Sequence, residues 1–276
     1  MQKLLCIGQT KILCRTDYEA LWPFIKQRYE NFVAEERATP DVELVLEVVA
    51  DKMIPEQLRG QDAVRFLPNS TIEMVRGNGY AIWDRRNHCC HIRQSEADFQ
   101  PDIKHPEYLF GSIVRIMLSY LLLEQNGCLI HSTGLIRNGQ GYLFVGKSGA
   151  GKSTVARISA PTTKILSDDL TLTQYRDGEM SVFGTPFWGD FKGDNVNNFG
   201  APLQGIYFLR QADKNDVTQL AVGPAMRQLL GSVMYFGQED RKTAVQILNI
   251  VKNLCTSIPC YTLDFVPDNS FWKLIH

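Results

Sequence analysis

The stretch from Tyr142 to Thr154, YLFVGKSGAGKST, constrains this 276-residue chain more than any other. The apolar run Tyr142–Val145 predicts a buried strand, and a glycine-rich turn follows it. The residues after the turn have helical character until Pro161 forbids continuation. The spacing G-x4-G-K-[ST], set between a strand and a helix, predicts a phosphate-binding loop in an α/β fold. The alternative is a glycine-rich turn that binds nothing.

Each part of this loop suits the binding of a nucleotide phosphate. Glycines permit backbone angles that let successive N–H groups converge on an anion. Lys152 supplies a positive charge, Ser153 offers a hydroxyl to Mg²⁺, and the helix beginning at Lys152 directs its positive dipole end at the same phosphates. The predicted nucleotide-binding residues are Gly146, Lys147, Ser148, Gly149, Ala150, Gly151, Lys152, Ser153 and Thr154.

Two adjacent acidic residues follow the next predicted strand. The short run Lys164–Leu166 predicts a strand with Ser167, Asp168 and Asp169 at its carboxyl end, which is where α/β sheets bind ligands. Asp168 follows Lys152 by 16 residues, enough for one short helix and one short strand that return beside the loop. Two carboxylates suit the two tasks of phosphoryl transfer, holding a metal and accepting a proton. The alternative is an acid-rich surface turn.

Further candidates lie before and after this pair. His131 ends a strand that leads toward the phosphate-loop strand, so we place it near the transferred phosphoryl group, although a lone histidine is more often structural. Residues 184–200, GTPFWGDFKGDNVNNFG, form a long polar and aromatic loop that we predict to be a lid. Within it, Asp190 is a further candidate metal ligand, and Phe187 and Trp188 are candidate anchors of the lid.

Composition argues against several classes of partner. A net charge of −1, from 29 basic and 30 acidic residues, gives no electrostatic reason to expect nucleic acid or an anionic membrane. The most apolar long run, Leu109–Leu123, has only 15 residues and contains Arg115, so it predicts a core helix and not a membrane span. The N-terminus lacks the apolar core and cleavage site of a secretion signal, so we expect a cytoplasmic protein.

The seven cysteines support the same expectation. They form an odd set without a C-x-x-C pair, which favours reduced thiols over a disulfide framework. The run His88–His91, HCCH, looks like a metal cluster, but neighbouring side chains of a strand point to opposite faces. We therefore expect no metal at this run.

The chain divides into two predicted domains. Residues 1–104 predict a small α/β domain of unknown role, and a polar segment with two prolines ends it. Residues 105–276 predict the phosphate-loop domain, with mixed parallel and antiparallel pairing. Its predicted elements include strands Cys128–His131, Leu135–Arg137, Gly205–Arg210, Val217–Val222 and Cys260–Phe265, and helices Pro224–Met234 and Glu239–Leu254.

The segment LIHSTGLIRNGQGYLFVGKSGAGKST, followed by LSDDL, resembles the HPr kinase/phosphorylase group and its relatives. These proteins share a nucleotide-binding core with ATP-dependent phosphoenolpyruvate carboxykinase. The resemblance covers residues 128–192 and implies a phosphate-loop kinase core with a mixed sheet, here preceded by the small α/β domain. His131 matches the active-site histidine of that group, Asp168 its general base and Asp169 the second acid, while Asp190 falls near its magnesium-binding glutamate.

The resemblance implies an ATP-dependent phosphotransferase that uses Mg²⁺. Its catalytic residues would be Asp168, His131 and Lys152, and its metal ligands Ser153, Asp169 and Asp190. The chain lacks a signature of the form RGLGI after the acid pair, which argues against HPr as the substrate. The expected acceptor is the hydroxyl of a serine in a peptide or protein, or of a small molecule, and a homo-oligomer is compatible with the resemblance. The alternative is a nucleotide-binding regulatory or assembly module without transfer activity.

Overall fold

The computed structural model describes residues 1–34, 38–176, 178–189, 191, 198–236 and 241–275. They form an α/β protein with mixed sheets, organised as two compact units, Met1–Leu118 and Ser119–His276. The division falls inside the helix Tyr108–Glu124, whereas the sequence pattern placed a boundary ahead of this helix. No helix in the described part of the chain is long and apolar enough to cross a membrane.

The first unit is built on an eight-stranded sheet with the order β3-β1-β2-β4-β8-β7-β6-β5. Its pairs are antiparallel except for β2 with β4 and β4 with β8, which are parallel. In the predicted strand Val42–Val49, the side chains of Val42, Leu44 and Leu46 are buried and those between them are not, which confirms the alternating pattern. Its elements are β1 Gln2–Ile7, β2 Thr10–Thr16, α1 Leu21–Tyr29, β3 Val33–Ala34, β4 Val42–Val49, β5 Gln61–Leu67, β6 Thr71–Gly77, β7 Gly79–Asp84, β8 Cys89–Ser95 and the start of α2 Tyr108–Glu124.

The second unit contains the predicted phosphate loop. Five of its strands close a cycle in which β10 pairs with β9, β9 with β12, β12 with β13, β13 with β14, and β14 in parallel with β10. Outside the cycle, β16 pairs in parallel with β14 and antiparallel with β15, while β11 pairs with β9. The elements are β9 Cys128–Arg137, β10 Gln140–Val145, α3 Lys152–Ser159, β11 Lys164–Ser167, β12 Leu170–Arg176, β13 Glu179–Phe183, β14 Gly200–Gln211, β15 Asp216–Gln219, α4 Val222–Leu230, α5 Arg241–Ser257 and β16 Cys260–Phe265.

The prediction of two short strands around Ser132 and Thr133 was wrong, because β9 runs unbroken through both residues. Both are fully buried, and polar side chains can remain inside a strand when their hydroxyls find partners. The Thr133 hydroxyl donates to the carbonyl of Lys152 at 2.8 Å, and the Ser132 hydroxyl donates to the carbonyl of Ile130 at 3.2 Å. These two residues therefore continue β9 toward the phosphate loop.

Other departures from the sequence pattern have local causes. The predicted strand Val217–Val222 ends at Gln219, and Val222 is instead the first residue of α4. Pro224 lies in the first turn of α4, where the missing N–H of a proline costs no helical hydrogen bond. Strand β5 was missed. Within the described ranges it is an edge strand that pairs with β6, and it is largely exposed, so its sequence, QDAVRFL, carries no clear alternation.

Strand β10 is covered on both faces, which fixes the start of the phosphate loop. Leu143 and Val145 pack in a core cluster with α4 and α5, while Tyr142 and Phe144 pack in a second cluster with α3 and the C-terminal 3₁₀ turn Asn269–Lys273. In the second cluster the ring of Phe144 stacks on Tyr207, with ring centroids 5.5 Å apart, and meets Trp272 edge-on. A strand buried on both faces reads as a continuous apolar run, as this one does.

A buried hydrogen bond links the C-terminal turn to α3. The Trp272 indole N–H donates to the Ser159 hydroxyl at 3.0 Å. Ser159→Ala should lower the free energy of unfolding by about 1–3 kcal/mol, because it leaves a buried N–H without its acceptor. Urea unfolding measures this. In a Trp272→Phe background the cost of Ser159→Ala should shrink, and an equal cost in both backgrounds would show that this bond does not contribute.

Candidate active site

The turn between β10 and α3 contains two glycines in the left-handed region of the backbone. Gly149 and Gly151 have φ angles of +80° and +109°, which side chains other than glycine rarely adopt. A Cβ on Gly151 would lie 2.9 Å from the Phe265 ring. The amide of Ala150 donates to the carbonyl of Lys147 at 3.1 Å and closes the turn. The loop is thus preformed by its own backbone.

An open cleft of about 440 Å³ lies against this loop. It brings together the three predicted segments, namely the end of β9, the phosphate loop and the acidic pair. Its lining residues are His131, Ser148, Gly149, Gly151, Lys152, Ser153, Thr154, Asp168, Asp169 and Gly189. Gly146, Lys147 and Ala150, also predicted to bind nucleotide, contribute backbone groups to the hydrogen bonds inside the loop.

The Lys152 ammonium is held inside the loop. The residue is only 8% exposed, and Nζ donates to the carbonyls of Gly146 at 2.9 Å and Lys147 at 3.3 Å. Burial lowers the pKa of Lys152 below its ordinary value, while the carboxylates of Asp169 and then Asp168 oppose this shift. The Lys152 ammonium therefore donates to loop carbonyls that a bound phosphate could replace as hydrogen-bond acceptors.

His131 and Asp169 face each other in the cleft. The antiparallel register pairs His131 with Leu170, and the amide of Ser132 donates to the carbonyl of Asp169 at 3.0 Å. This brings His131 Nε2 within 3.3 Å of Asp169 Oδ1. Burial lowers the pKa of His131 below its ordinary value, the charge of Lys152 acts in the same direction, and Asp169 opposes both. Burial and Lys152 thus favour the neutral imidazole.

Asp168 is placed differently from its neighbour. It is 3% exposed, and each of its carboxylate oxygens already accepts a backbone hydrogen bond. The amide of Gly189 donates to Oδ1 at 2.7 Å, and the amide of Phe191 donates to Oδ2 at 2.8 Å. Asp168 therefore holds the backbone at Gly189, which lines the cleft, and at Phe191.

Part of the predicted lid cannot be located, because Asp190 and residues 192–197 lie outside the described residues. Of the predicted lid anchors, Phe187 is 2% exposed, and its carbonyl accepts from the Ser167 hydroxyl at 2.7 Å. The prediction that this loop is a lid, and that Asp190 binds metal, therefore stays a prediction.

The donor atoms at the cleft fit Mg²⁺ bound together with a nucleotide. Ser153 offers a hydroxyl and Asp169 a carboxylate, and both line the cleft. Among the described residues no three His, Cys, Asp or Glu side chains are grouped so that they could hold a metal ion alone. Magnesium held with substrate phosphates needs only one or two carboxylates, because phosphates and water complete its shell. The protein ligands present are sufficient for that mode of binding.

Sequence reasoning assigned no role to several residues that shape the site. Ser167 accepts from the amides of Asp169 and Leu170, Gly189 lines the cleft, and the Gln211 side-chain amide donates to the carbonyl of Gly149 at 2.8 Å. Ser167 directly precedes the acidic pair, so its position was a usable signal. The sequence carried no such signal for Gln211, because it is the parallel pairing of β14 with β10 that brings Gln211 beside the loop.

The lowered pKa of His131 should make the stability of the protein depend on pH. Below the ordinary histidine pKa of about 6.5, the unfolded chain binds a proton that the folded imidazole resists, so stability falls as the pH drops through this value. His131→Gln should make the decline of the urea midpoint between about pH 7.5 and 5 shallower. The effect is small because the side chain is 43% exposed. If the urea midpoint of His131→Gln declined as steeply as that of the wild type, or more steeply, the result would contradict a lowered pKa for His131.

The fold and the site together define an α/β protein with mixed sheets and a glycine-rich loop that opens into an acidic cleft. The chain belongs to the ScmC family, described as SynChlorMet cassette protein ScmC, whose family model matches residues 102–276, more than half of the chain. The match covers the whole second unit.

Comparisons with curated proteins and solved structures add little. No curated protein matches the chain. Among solved structures, the HPr(Ser) kinase/phosphatase from Coxiella burnetii is similar at 12% identity, over 45% of this chain and 88% of that chain, with a TM-score of 0.26. A likeness at this level says nothing about activity.

Proposed function

We propose that this protein is an ATP-dependent phosphotransferase that transfers a phosphoryl group to a hydroxyl. The observation that carries the proposal is the cleft itself, in which Lys152 and Ser153 of the loop share one space with the Asp168–Asp169 pair and His131. A cation for the phosphates, a hydroxyl and carboxylate for Mg²⁺, and a carboxylate or imidazole for proton transfer are the groups that phosphoryl transfer requires.

In the proposed reaction the acceptor oxygen attacks the γ-phosphorus of ATP. The O–H bond of the acceptor breaks and its proton passes to a carboxylate of the acidic pair. The bond from the γ-phosphorus to the bridging oxygen breaks, and ADP leaves with the electron pair. Lys152 and the loop amides bind the phosphate oxygens, and Mg²⁺, held by Ser153 and Asp169 with Asp190 as a further candidate, supplies charge neutralisation. The resemblance assigns the proton acceptor to Asp168.

The proposed acceptor is a serine of a peptide or protein, or the hydroxyl of a small molecule. Neither nucleic acid nor a membrane surface enters the proposal, and the number of copies in an assembly stays open. We place the reaction in the cytoplasm, because an odd number of cysteines without a C-x-x-C pair favours reduced thiols.

Two measurements test the proposal. Calorimetry should detect binding of ATP, ADP or GTP that depends on Mg²⁺, and γ-labelled ATP incubated with the protein and fractionated lysate should label an acceptor. Absence of nucleotide binding at millimolar concentrations would refute the proposal. Nucleotide binding without transfer to any fraction would favour the alternative, a regulatory or assembly module in which the buried Asp168 only organises the chain.

A further inference from the structure

The ends of two neighbouring strands lie beside the glycine-rich loop between β10 and α3. In the described structure the parallel pairing of β14 with β10 ends at Val145 and Phe208, and β14 continues beyond it to Gln211. Strand β16 pairs with β14 as far as its last residue, so Gln211 lies opposite Phe265. Because β10 has ended at this level, the loop that follows it meets the last residues of β14 and β16.

Two glycines of the loop approach apolar side chains from these strand ends. A Cβ on Gly146 would lie 3.4 Å from the Cβ of Leu209, and a Cβ on Gly151 would lie 2.9 Å from the Phe265 ring. Glycine at these positions therefore lets the backbone come close to the strands. The two contacts place the beginning and the end of the loop against the sheet.

The middle glycine of the loop is held by a polar contact instead. The Gln211 side-chain amide donates to the Gly149 carbonyl at 2.8 Å. At the other end of the same peptide group, the Ala150 amide donates to the Lys147 carbonyl at 3.1 Å. The peptide group is thus hydrogen-bonded twice, once from β14 and once within the loop. Gly149 has a φ of +80°, and a glycine loses more conformational freedom on ordering than any other residue, so the loop depends on such support.

The hydrogen bond from Gln211 belongs to a connected series that ends at Lys152. The Lys147 carbonyl that accepts from the Ala150 amide also accepts from the Lys152 ammonium at 3.3 Å. A phosphate that replaces the loop carbonyls as the acceptor for Lys152 would remove that internal bond. It would leave the bond from Gln211, which comes from outside the loop. Gln211 carries no charge, so it acts on a phosphate through the geometry of the loop and not through charge attraction.

We propose that Gln211 is a positioning residue that holds the Gly149 peptide group in the form that binds nucleotide phosphates. This inference rests on the proposed phosphotransferase function and adds to it a residue outside the loop and the acidic pair. A glycine-rich turn at the surface belongs to the low end of local stability, so one hydrogen bond shifts its populations appreciably. Affinity falls in proportion to the fraction of the protein in the binding-competent form. Gln211 thus favours nucleotide binding without contacting the reacting atoms.

The test compares Gln211→Met with Gln219→Met, the matched change at an exposed glutamine of β15. Methionine is similar to glutamine in length but cannot donate a hydrogen bond. Gln211→Met should weaken binding of Mg²⁺-ATP by about 2- to 5-fold in calorimetry, because a neutral hydrogen bond contributes modestly. The kcat at saturating ATP should stay within about 2-fold of the wild type, as expected when only binding is affected. Gln219→Met should match the wild type in both.

Amide exchange without nucleotide tests the cause separately. The Ala150 amide should exchange about 2- to 5-fold faster in Gln211→Met, because its peptide group has lost one of two hydrogen bonds. The Val155 amide, which donates to the Gly151 carbonyl at 2.9 Å in the first turn of α3, should exchange as in the wild type. This internal control separates a local effect on the loop from a general loss of stability.

Three results would overturn the proposal. Wild-type affinity for Mg²⁺-ATP in Gln211→Met would show that binding does not depend on this bond. Weaker binding with unchanged Ala150 exchange would show that Gln211 does not act through the loop. A fall in kcat deeper than the loss of affinity would assign Gln211 to the reacting geometry. If the wild-type protein binds no nucleotide, the proposed function fails and this inference with it, whereas the exchange comparison still decides whether Gln211 holds the loop.

Discussion

Replacing Lys152 with Met should lower the rate of phosphoryl transfer by about 10²- to 10³-fold, the usual cost of removing one preorganised group that stabilises transition-state charge. Nucleotide affinity should fall as well, by about 10- to 100-fold, because a hydrogen bond to a charged group contributes roughly 1.5–3 kcal/mol. Calorimetry with Mg²⁺-ATP and a labelled-phosphate assay measure the two effects separately.

Methionine is chosen because the Lys152 side chain is buried, and an unbranched apolar side chain keeps most of its packing. Arg157→Met, an exposed position on the same helix, is the matched control and should change neither affinity nor rate. If Lys152→Met bound Mg²⁺-ATP as tightly as the wild type, the loop would not be the nucleotide site. Circular dichroism should show the same helix content in all three proteins.

Gly151→Ala should lower the free energy of unfolding by about 2–5 kcal/mol and weaken nucleotide binding. An L-residue in the left-handed region costs roughly 1–2 kcal/mol, and crowding of a packed core adds about 1–3 kcal/mol. Both apply here, since Gly151 has a φ of +109° and an added Cβ would lie 2.9 Å from Phe265. Urea unfolding and calorimetry measure the two consequences.

Two other glycines of the same unit separate these causes. Gly139, in the hairpin turn before β10, has a φ of +78° and open space around its Cβ position, so Gly139→Ala should show the backbone cost alone. Gly149 has a φ of +80° and equally open space, so Gly149→Ala should show that cost within the loop. If Gly151→Ala were no less stable than Gly139→Ala, the contact with Phe265 would carry no penalty.

The strand, glycine-rich turn and helix around Gly146–Ser153 could be predicted because their determinants are local. A strand, glycines at the positions of positive φ, a lysine and a helix start all lie within Tyr142–Thr154, and the structure has β10 and α3 at these places. The strand Val42–Val49 was predictable for a similar reason, since one buried face imposes a period of two on consecutive residues. Such patterns can be recognised without knowing which segments of the chain pack together.

Pairing between distant segments could not be predicted in this way. The Ser132–Thr133 pair looks like a break in a strand until β10, β11 and β12 are placed against β9 and the hydroxyls find acceptors. In the described structure the edge strand β5 pairs with β6 and has little buried surface, so its residues carry no periodic signal. For β9, long-range hydrogen bonds outweigh the local pattern, whereas for β5 the local pattern is too weak to indicate a strand.

The sequence by itself determined that a glycine-rich turn between a strand and a helix precedes an acidic pair, because composition and spacing within short segments set both features. Only the tertiary structure decided how the two acids differ. Their side chains are chemically identical and adjacent, so the distinction comes from what packs around the turn after β11. The amides of Gly189 and Phe191 enclose Asp168, whereas the register of β9 with β12 brings His131 to Asp169. Contacts between residues far apart in the chain create this difference, and no short sequence pattern contains it.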